Sequence, residues 1–437
     1  MSGSWRHLPG LLAIGLVSLA AGVAPADAVD PTVIVLSWDG VRFDGIDRAG
    51  PLPALRRIER QGARATALVP AFPSITFPSH IALATCAPAD RHGIVANRFL
   101  DPERGLFDYA ADAGWIEAEP LWVAAEAQGV RTATYFWVGS ETPWHGVAPS
   151  LRVAPFDASV PESAKVDRIL AWLDLPPDER PRLVMSWWHG SDHAGHRAGP
   201  RSRAVAEALR EQDAQLARLL AGLDARDAWP HTTLFVVSDH GMIAGGRWID
   251  LRGILREAGL AVRVIHAGPV AHVHLVGEES AERVLARIAS IDGVHGYRLR
   301  ELPRRYRYAH PTRVGQVVVL ADPPIVFSGA GRLERLGRRV ATWLGQEQGV
   351  HGYDARDVPG MKGIFLALGR GIAAGARPGD VDALDVAPTV ASLLGIRPPR
   401  GCEGRALELA GPGVRRGSDA AAQRRTASAG RRAARAR

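Results

Sequence analysis

The sequence predicts an α/β fold in which helices sandwich a largely parallel central sheet, with an α+β subdomain inserted into it. Three observations carry this. Short, continuous apolar runs at residues 33–38, 183–188, 233–238 and 364–368 have the length and composition of strands buried on both faces. Stretches of helical periodicity alternate with them, as a parallel sheet covered on both faces requires. Between residues 249 and 331 the pattern shifts toward alternating valine and isoleucine, which marks a separate α+β unit.

Taken in order, the chain opens with a targeting signal. Arg6 and His7 precede an apolar run at 11–24, and Ala26-Asp27-Ala28 fits the small-x-small cleavage pattern. The run falls short of the roughly 20 residues that span a bilayer. Residues 1–28 therefore read as a signal peptide. The mature chain reads as exported, to a bacterial periplasm or secreted, with no transmembrane segment. No cysteine lies near the cleavage site, which argues against a lipid anchor.

The strand at 33–38 ends in Asp39-Gly40, placing a carboxylate where open α/β sheets put their ligands. Residues 53–62 read as a helix stopped by Gly62. Thr76 precedes Phe77-Pro78-Ser79 and a run that can be helical, so it falls at a helix N-terminus, where free N–H groups and the dipole favour an anion. Taken alone, such a threonine is a helix cap. The strand at 183–188 runs into His189-Gly-Ser-Asp192-His-Ala-Gly-His196, and a long helix follows with Val205, Leu209, Leu216 and Leu220 on one face. The strand at 233–238 ends in Asp239-His240.

Within 249–331 the pattern gives strands at 262–276, 297–299 and 317–320 and a helix at 279–290, with His272, His274 and His295 expected on the surface. The core resumes with a helix at 333–344, His351-Gly-Tyr-Asp354, the strand at 364–368 and a helix at 387–394. The core thus comprises 29–248 and 332–412, the insert 249–331, and a tail 413–437.

The formal net charge of +7 belongs to that tail, whose eight Arg and one Asp leave residues 1–412 formally neutral. The basic balance is therefore no sign of a nucleic-acid groove, and the tail reads as disordered. With Cys86 and Cys402 as its only cysteines, the chain is neither a disulfide scaffold nor a thiolate zinc site, and the sequence leaves open whether the two bond.

Three strand ends deliver metal-ligand types: Asp39, Asp192 with His196, and Asp239 with His240, while His351 arrives from beyond the insert. Carboxylate plus imidazole suits zinc, with manganese or iron as substitutes, whereas magnesium and calcium prefer oxygen alone. The Asp192-x-x-x-His196 spacing puts both side chains on one side of a turn.

The order and spacing of Trp38-Asp39-Gly, Thr76-Phe-Pro-x-His80, Pro88-x-x-x-His92-Gly-Ile-Val-x-Asn97, Trp137-x-Gly-Ser, Asp192-x-x-Gly-His196-x-x-Gly-Pro, Ser-Asp239-His240-Gly-Met and His351-Gly-Tyr-Asp resemble the type I phosphodiesterase/nucleotide pyrophosphatase family of the alkaline phosphatase superfamily. The resemblance covers residues 33–409. It implies an alkaline phosphatase-like sheet and two zinc ions per chain, one held by Asp39, Thr76, Asp239 and His240, the other by Asp192, His196 and His351. It also implies that Asn97 and a backbone N–H near Thr76 hold a phosphoryl oxygen, and that Phe77 and Trp187 flank a nucleoside. Thr76 would attack phosphorus, forming a phospho-threonine that water then hydrolyses.

The implied substrate is a small phosphodiester or nucleotide, with no specific nucleic-acid or protein partner. Asn97, a neutral donor, suits the single charge of a diester, while a monoester dianion is better met by an arginine fork. The chain departs from the family pattern at Gly190-Ser191, where Glu-Pro is usual, at Cys86 for Gly and at Val138 for Pro. Two readings compete: a phosphomonoesterase or phosphonate hydrolase on the same metals, and a catalytically silent binding protein. His80, His92, His189 and His193 read as loop or helix hydrogen-bonding residues, Asp213 as a helix-packing partner, and Asp354 as a carboxylate orienting His351.

Overall fold

The strands relevant here, in chain order, are β1 (Thr32–Trp38), β2 (Ala63–Arg64), β3 (Thr132–Tyr135), β4 (Leu151–Val153), β5 (Leu183–Trp188), β6 (Thr232–Val237), β7 (Val262–Ala267), β8 (Val270–Leu275), β9 (Val294–Arg298), β10 (Val317–Ala321) and β11 (Phe365–Gly369). The computed structural model describes residues 30–329 and 347–410. The expected signal peptide, the helix at 333–344 and the arginine-rich tail lie outside the described residues.

The central sheet has seven strands in the order β2-β11-β6-β1-β5-β3-β4. β1, β3, β4, β5 and β6 pair in parallel, and β11 runs antiparallel between β6 and β2. All seven residues of β1 are buried, as its uninterrupted apolar run demands of a strand covered on both faces. Each large aliphatic side chain buried this way stabilises the fold by roughly 1.5–3 kcal/mol. At the strand ends Trp38 stacks on Trp188 with centroids 5.9 Å apart, so these indoles close the core just beneath the site.

The expected helices form as α1 (Pro53–Gln61), α2 (Thr76–Thr85), α5 (Arg203–Asp224), α6 (Ala281–Ala289) and α7 (Val386–Leu394), joined by α3 (Glu162–Leu173) and α4 (Gly190–Ala198). Asp213, on the buried stripe of α5, accepts the first free N–H groups of α1 from Ala54 at 3.0 Å and Leu55 at 2.8 Å, which satisfies a helix start that its Leu52 cap cannot. No helix among the described residues is long and apolar enough to cross a membrane.

Residues 262–321 build a second sheet, antiparallel throughout, in the order β7-β8-β10-β9. Its alternating valines Val264, Val273 and Val319 share an apolar cluster with Val284 and Ile288 of α6. His272 departs from its expected surface position. It is buried, and its Nε2 lies 2.6 Å from the hydroxyl of Tyr308, which donates to the carbonyl of Val95 at 2.7 Å. Arg313, also buried, donates to the carbonyls of Gly93 at 2.8 Å and Trp115 at 2.9 Å and to Asp101 at 2.8 Å. Period-2 patterning marks which side of a strand is apolar, but not the contacts a neighbouring segment brings.

Cys86 and Cys402 form a disulfide across 316 residues, resolving the pairing that the sequence left open. It ties the end of α2 to the segment after α7.

Burial holds His92 and His272 neutral, pushing both down to about 3. Their unfolded value lies near 6.5, so the unfolded chain binds protons that the native chain refuses as the pH falls from about 6.5 toward 3. Each contribution is intact above the unfolded value and is lost at roughly 1 kcal/mol per pH unit below it. Denaturant midpoints taken in steps from neutral pH to pH 4 should fall progressively, and a constant midpoint over that interval contradicts this.

Candidate active site

The parallel register brings three strand ends level. Trp38 lies opposite Trp188, and Ser37 opposite Val237, so β1, β5 and β6 finish along one edge. Asp39 follows β1, with its N–H on the carbonyl of Trp188 at 2.9 Å. Asp239 and His240 follow β6, and β5 feeds α4, where Asp192 and His196 stand one turn apart. This is the carboxyl edge, where strand ends diverge into loops and leave a crevice.

Two glycines permit the close approach of these segments. Gly40 has φ +69°, and a Cβ there would lie within 3.0 Å of Asp192. Gly349 precedes Val350 in a short antiparallel pairing with Ile243–Ala244, and a Cβ there would meet Met242 and the Gly195 carbonyl at 2.0 and 2.6 Å. Larger residues at either position would force apart the segments that bear Asp39, Asp192 and His351.

Two groups of candidate metal ligands result: Asp39, Asp239 and His240, and Asp192, His196 and His351, with the ligand atoms of each group within 4.8 Å of one another. His240 and His351 stack with ring centroids 3.8 Å apart, so the groups adjoin. Each histidine turns Nδ1 to a backbone carbonyl: His240 to Gly241 at 2.9 Å, His196 to Gly349 at 2.8 Å, and His351 to Ser74 at 2.9 Å. A carbonyl only accepts, so Nδ1 carries the hydrogen and Nε2 presents a lone pair. His196 Nε2 and His351 Nε2 then face each other at 3.1 Å, and His196 Nε2 lies 3.4 Å from Asp192 Oδ1. His240 Nε2 lies 3.2 Å from Asp239 Oδ2 and 3.5 Å from Asp39 Oδ1.

Asp39 Oδ1, Asp192 Oδ1 and Asp239 Oδ2 are buried without a hydrogen-bond donor among the described residues. Burial, with Asp239 and Asp192 nearby, drives the Asp39 carboxyl well above its ordinary range. Burial also raises Asp239. Burial and His351 hold His240 well below the usual imidazole range, while burial and His196 bring His351 to about 4. Converging lone pairs whose charge burial disfavours fit a cation, which inverts this electrostatic cost. The carboxylate-imidazole donor set fits zinc.

The other expected site residues gather around these groups. Thr76 is the first residue of α2, after an Ile75 cap that makes no side-chain bond. Its hydroxyl is therefore not a cap but faces His240 Nε2 at 3.3 Å. Asn97 Oδ1 accepts the Phe77 N–H at 2.9 Å, which fixes the orientation of the amide. Asn97 Nδ2 lies 3.4 Å from the Tyr109 hydroxyl.

Trp187 and Trp188 divide their duties. Trp188 is core, while Trp187 lines the cavity and donates its indole N–H to Asp39 Oδ2 at 2.9 Å. Phe156 stacks on Trp187 with centroids 4.5 Å apart, so only part of the indole faces the cavity. Phe77 meets Tyr109 edge-on at 5.3 Å. His80 makes the expected helix bond, from Nδ1 to the Thr76 carbonyl at 2.8 Å, and also approaches Asp239 at 3.3 Å. Asp354 does not orient His351. It accepts the Arg356 N–H at 3.0 Å, while the Ser74 carbonyl holds the imidazole.

The cavity over the site measures about 1120 Å³ among the described residues. Tyr109, Glu141 and Phe156 line it without having been singled out in the sequence. Glu141 directly follows the Trp137-x-Gly-Ser motif, which was its one available signal, and burial raises its carboxyl to about 7. Tyr109 and Phe156 lie in stretches with no motif.

Comparison with known proteins bears on this geometry. The family model for type I phosphodiesterase/nucleotide pyrophosphatase matches residues 33–354. An uncharacterized pyrophosphatase/phosphodiesterase of Schizosaccharomyces pombe is 32% identical over 77% of this chain and 71% of its own length. A bis(5'-adenosyl)-triphosphatase of Xenopus laevis is 27% identical over 87% of this chain and 81% of its own. Human ectonucleotide pyrophosphatase/phosphodiesterase family member 1 is 27% identical over 86% of this chain, which spans only 41% of that longer protein. Among solved structures, an inactive threonine-to-alanine variant of murine ectonucleotide pyrophosphatase/phosphodiesterase 5 bound to AMP superposes with a TM-score of 0.76 at 26% identity, covering 84% of this chain and 96% of that one. The mixed α/β architecture, the two ligand groups on its carboxyl edge and a family match across most of the described core agree: the chain belongs to the type I phosphodiesterase/nucleotide pyrophosphatase family.

Proposed function

We propose that the chain is a zinc-dependent hydrolase of nucleotide-like phosphodiesters or pyrophosphates, with Thr76 as nucleophile. That it is an enzyme acting on phosphodiester or pyrophosphate bonds follows from its family. The observation that carries the finer reading is the Thr76 hydroxyl at the head of α2, 3.3 Å from a histidine of one candidate ligand group.

Asp39, Asp239 and His240, with Thr76 itself, would hold one zinc, and Asp192, His196 and His351 the other. Zinc bound there lowers the pKa of a coordinated hydroxyl and offsets charge on a departing oxygen. Thr76 Oγ1 attacks phosphorus, the ester or anhydride oxygen leaves with its electron pair, and a phospho-threonine results. Water then cleaves the phosphorus–Oγ1 bond and restores the hydroxyl. Asn97 donates from Nδ2 to a non-bridging oxygen, its amide fixed by the Phe77 N–H. Phe77, Tyr109 and Phe156 offer aromatic surface in the cavity for a base, an interaction worth about 1–3 kcal/mol. The inactive threonine variant of the murine relative and its AMP ligand support this reading.

The diester is favoured over the phosphomonoesterase or phosphonate reading because Asn97 is neutral and Arg98, the one arginine lining the cavity among the described residues, is paired with Asp108 at 3.0 Å. The 249–331 segment is read as an inserted subdomain that supplies the cavity wall around His266 and Phe327. Export is supported by the Cys86–Cys402 disulfide, a bond that persists in oxidising compartments.

On signal-free protein supplied with zinc, bis-p-nitrophenyl phosphate should be hydrolysed in clear preference to p-nitrophenyl phosphate. Thr76→Ala should lower that rate by more than about 10³-fold while retaining metal. A near-wild-type rate in this variant removes Thr76 as nucleophile, and a monoester preference moves the alternative ahead. Trp187→Phe keeps the ring packing but withdraws the N–H from Asp39. Zinc affinity, read by chelator competition, should weaken by about 10-fold or more, and unchanged affinity contradicts an orienting role for the indole.

A further inference from the structure

The chain carries two lysines against fifty-one arginines, and one of the two, Lys165, is completely buried. Its Nζ lies 2.7 Å from Glu162 Oε2 within α3 and donates to the backbone carbonyl of Trp187 at 2.9 Å. The ring of Phe136 stands 5.7 Å away. A compact ammonium on a slender stem fits this space, where a planar guanidinium fork demands more room. The backbone N–H groups of Gly190 and His189, at the start of α4, stand near the Glu162 carboxylate and, after Lys165, favour its charged form against burial. A Cβ on Gly190 would stand 3.9 Å from Glu162 Oε1, so the Glu162 carboxylate lies against the first residue of α4.

We propose that the buried Lys165–Glu162 pair is a positioning element for the metal centre. On one side it holds Trp187, whose indole fixes Asp39. On the other it holds the start of α4, which carries Asp192 and His196. One ion pair behind β5 thus sets the relative placement of a ligand from each group. Its presence is not explained by stability. Desolvating two charges offsets most of their attraction, and replacing such a pair with apolar groups of similar volume is commonly neutral or stabilising. Neither residue touches the cavity, and both act only through the residues they hold.

This inference rests on the metal reading above, and the experiment separates the two. Wild-type protein and the double variant Glu162→Gln/Lys165→Met, which removes both charges while keeping volume, are compared by thermal unfolding, by zinc competition against a chelator, and by steady-state hydrolysis of bis-p-nitrophenyl phosphate. The variant should unfold within about 5 °C of wild type. Its zinc affinity should be weaker by about 10-fold or more. Its kcat should fall by about 10-fold with KM changed less than about 2-fold, as expected when the metal centre rather than substrate binding is disturbed. A folded variant with wild-type zinc affinity and kcat overturns the proposal and leaves the metal reading intact, whereas wild-type protein that binds no zinc overturns both. Should the double variant fail to fold, Glu162→Gln alone decides: zinc affinity weakened several-fold supports the proposal, and unchanged affinity overturns it.

Discussion

His196 Nε2 and His351 Nε2 face each other across 3.1 Å, and the N–H on the far side of each ring is spent on a backbone carbonyl. Neither nitrogen can donate to the other, and the carboxylate beside them, Asp192, offers only lone pairs as well. The same conflict recurs next door, where His240 meets Asp39 and Asp239. Acceptors crowded this way repel unless a cation lies among them. The surrounding structure can be understood as the means of holding these acceptors together, against the desolvation that would otherwise protonate the carboxylates or separate the rings.

The sheet supplies the first means. Three adjacent parallel strands end level, so residues far apart in sequence emerge side by side, and glycines at 40 and 349 allow the segments between them to close up. A second means is backbone orientation of the histidines, whose carbonyl acceptors are already fixed by their own elements, so no second side chain has to be ordered. A third reaches out from the core. The loop bearing Asn97 is held by Tyr308 and Arg313, both in the connection between β9 and β10 of the second sheet, so the Asn97 loop and that sheet are mechanically joined. Residues that never face the cavity thereby govern the geometry of those that do.

The sequence carried much of this, for identifiable reasons. Long, double-sided burial leaves an uninterrupted apolar run, so β1, β5 and β6 were visible, and with them the positions of Asp39, Asp192 and Asp239. The antiparallel run of β11 was not visible, because a strand's direction leaves no mark on its composition. Trp187 and Trp188 show the limit within a single dipeptide. Alternation sends them to opposite faces, but only the packed structure shows that one grips Asp39 and carries Phe156 on its ring. Glu141, Tyr109 and His272 were illegible for a related reason: what a loop or insert residue touches depends on other segments of the chain, and no local pattern records it. The disulfide is similar, since two cysteines 316 residues apart carry no spacing signal.

The central claim is that the two clusters of converging acceptors hold two cations. Its most direct test is a crystal structure of the zinc-supplied protein with diffraction collected on both sides of the zinc absorption edge. The account predicts two anomalous peaks, one bounded by Asp39, Thr76, Asp239 and His240 and the other by Asp192, His196 and His351. Empty clusters relaxed by protonation, with the imidazoles of His196 and His351 turned apart, would contradict it.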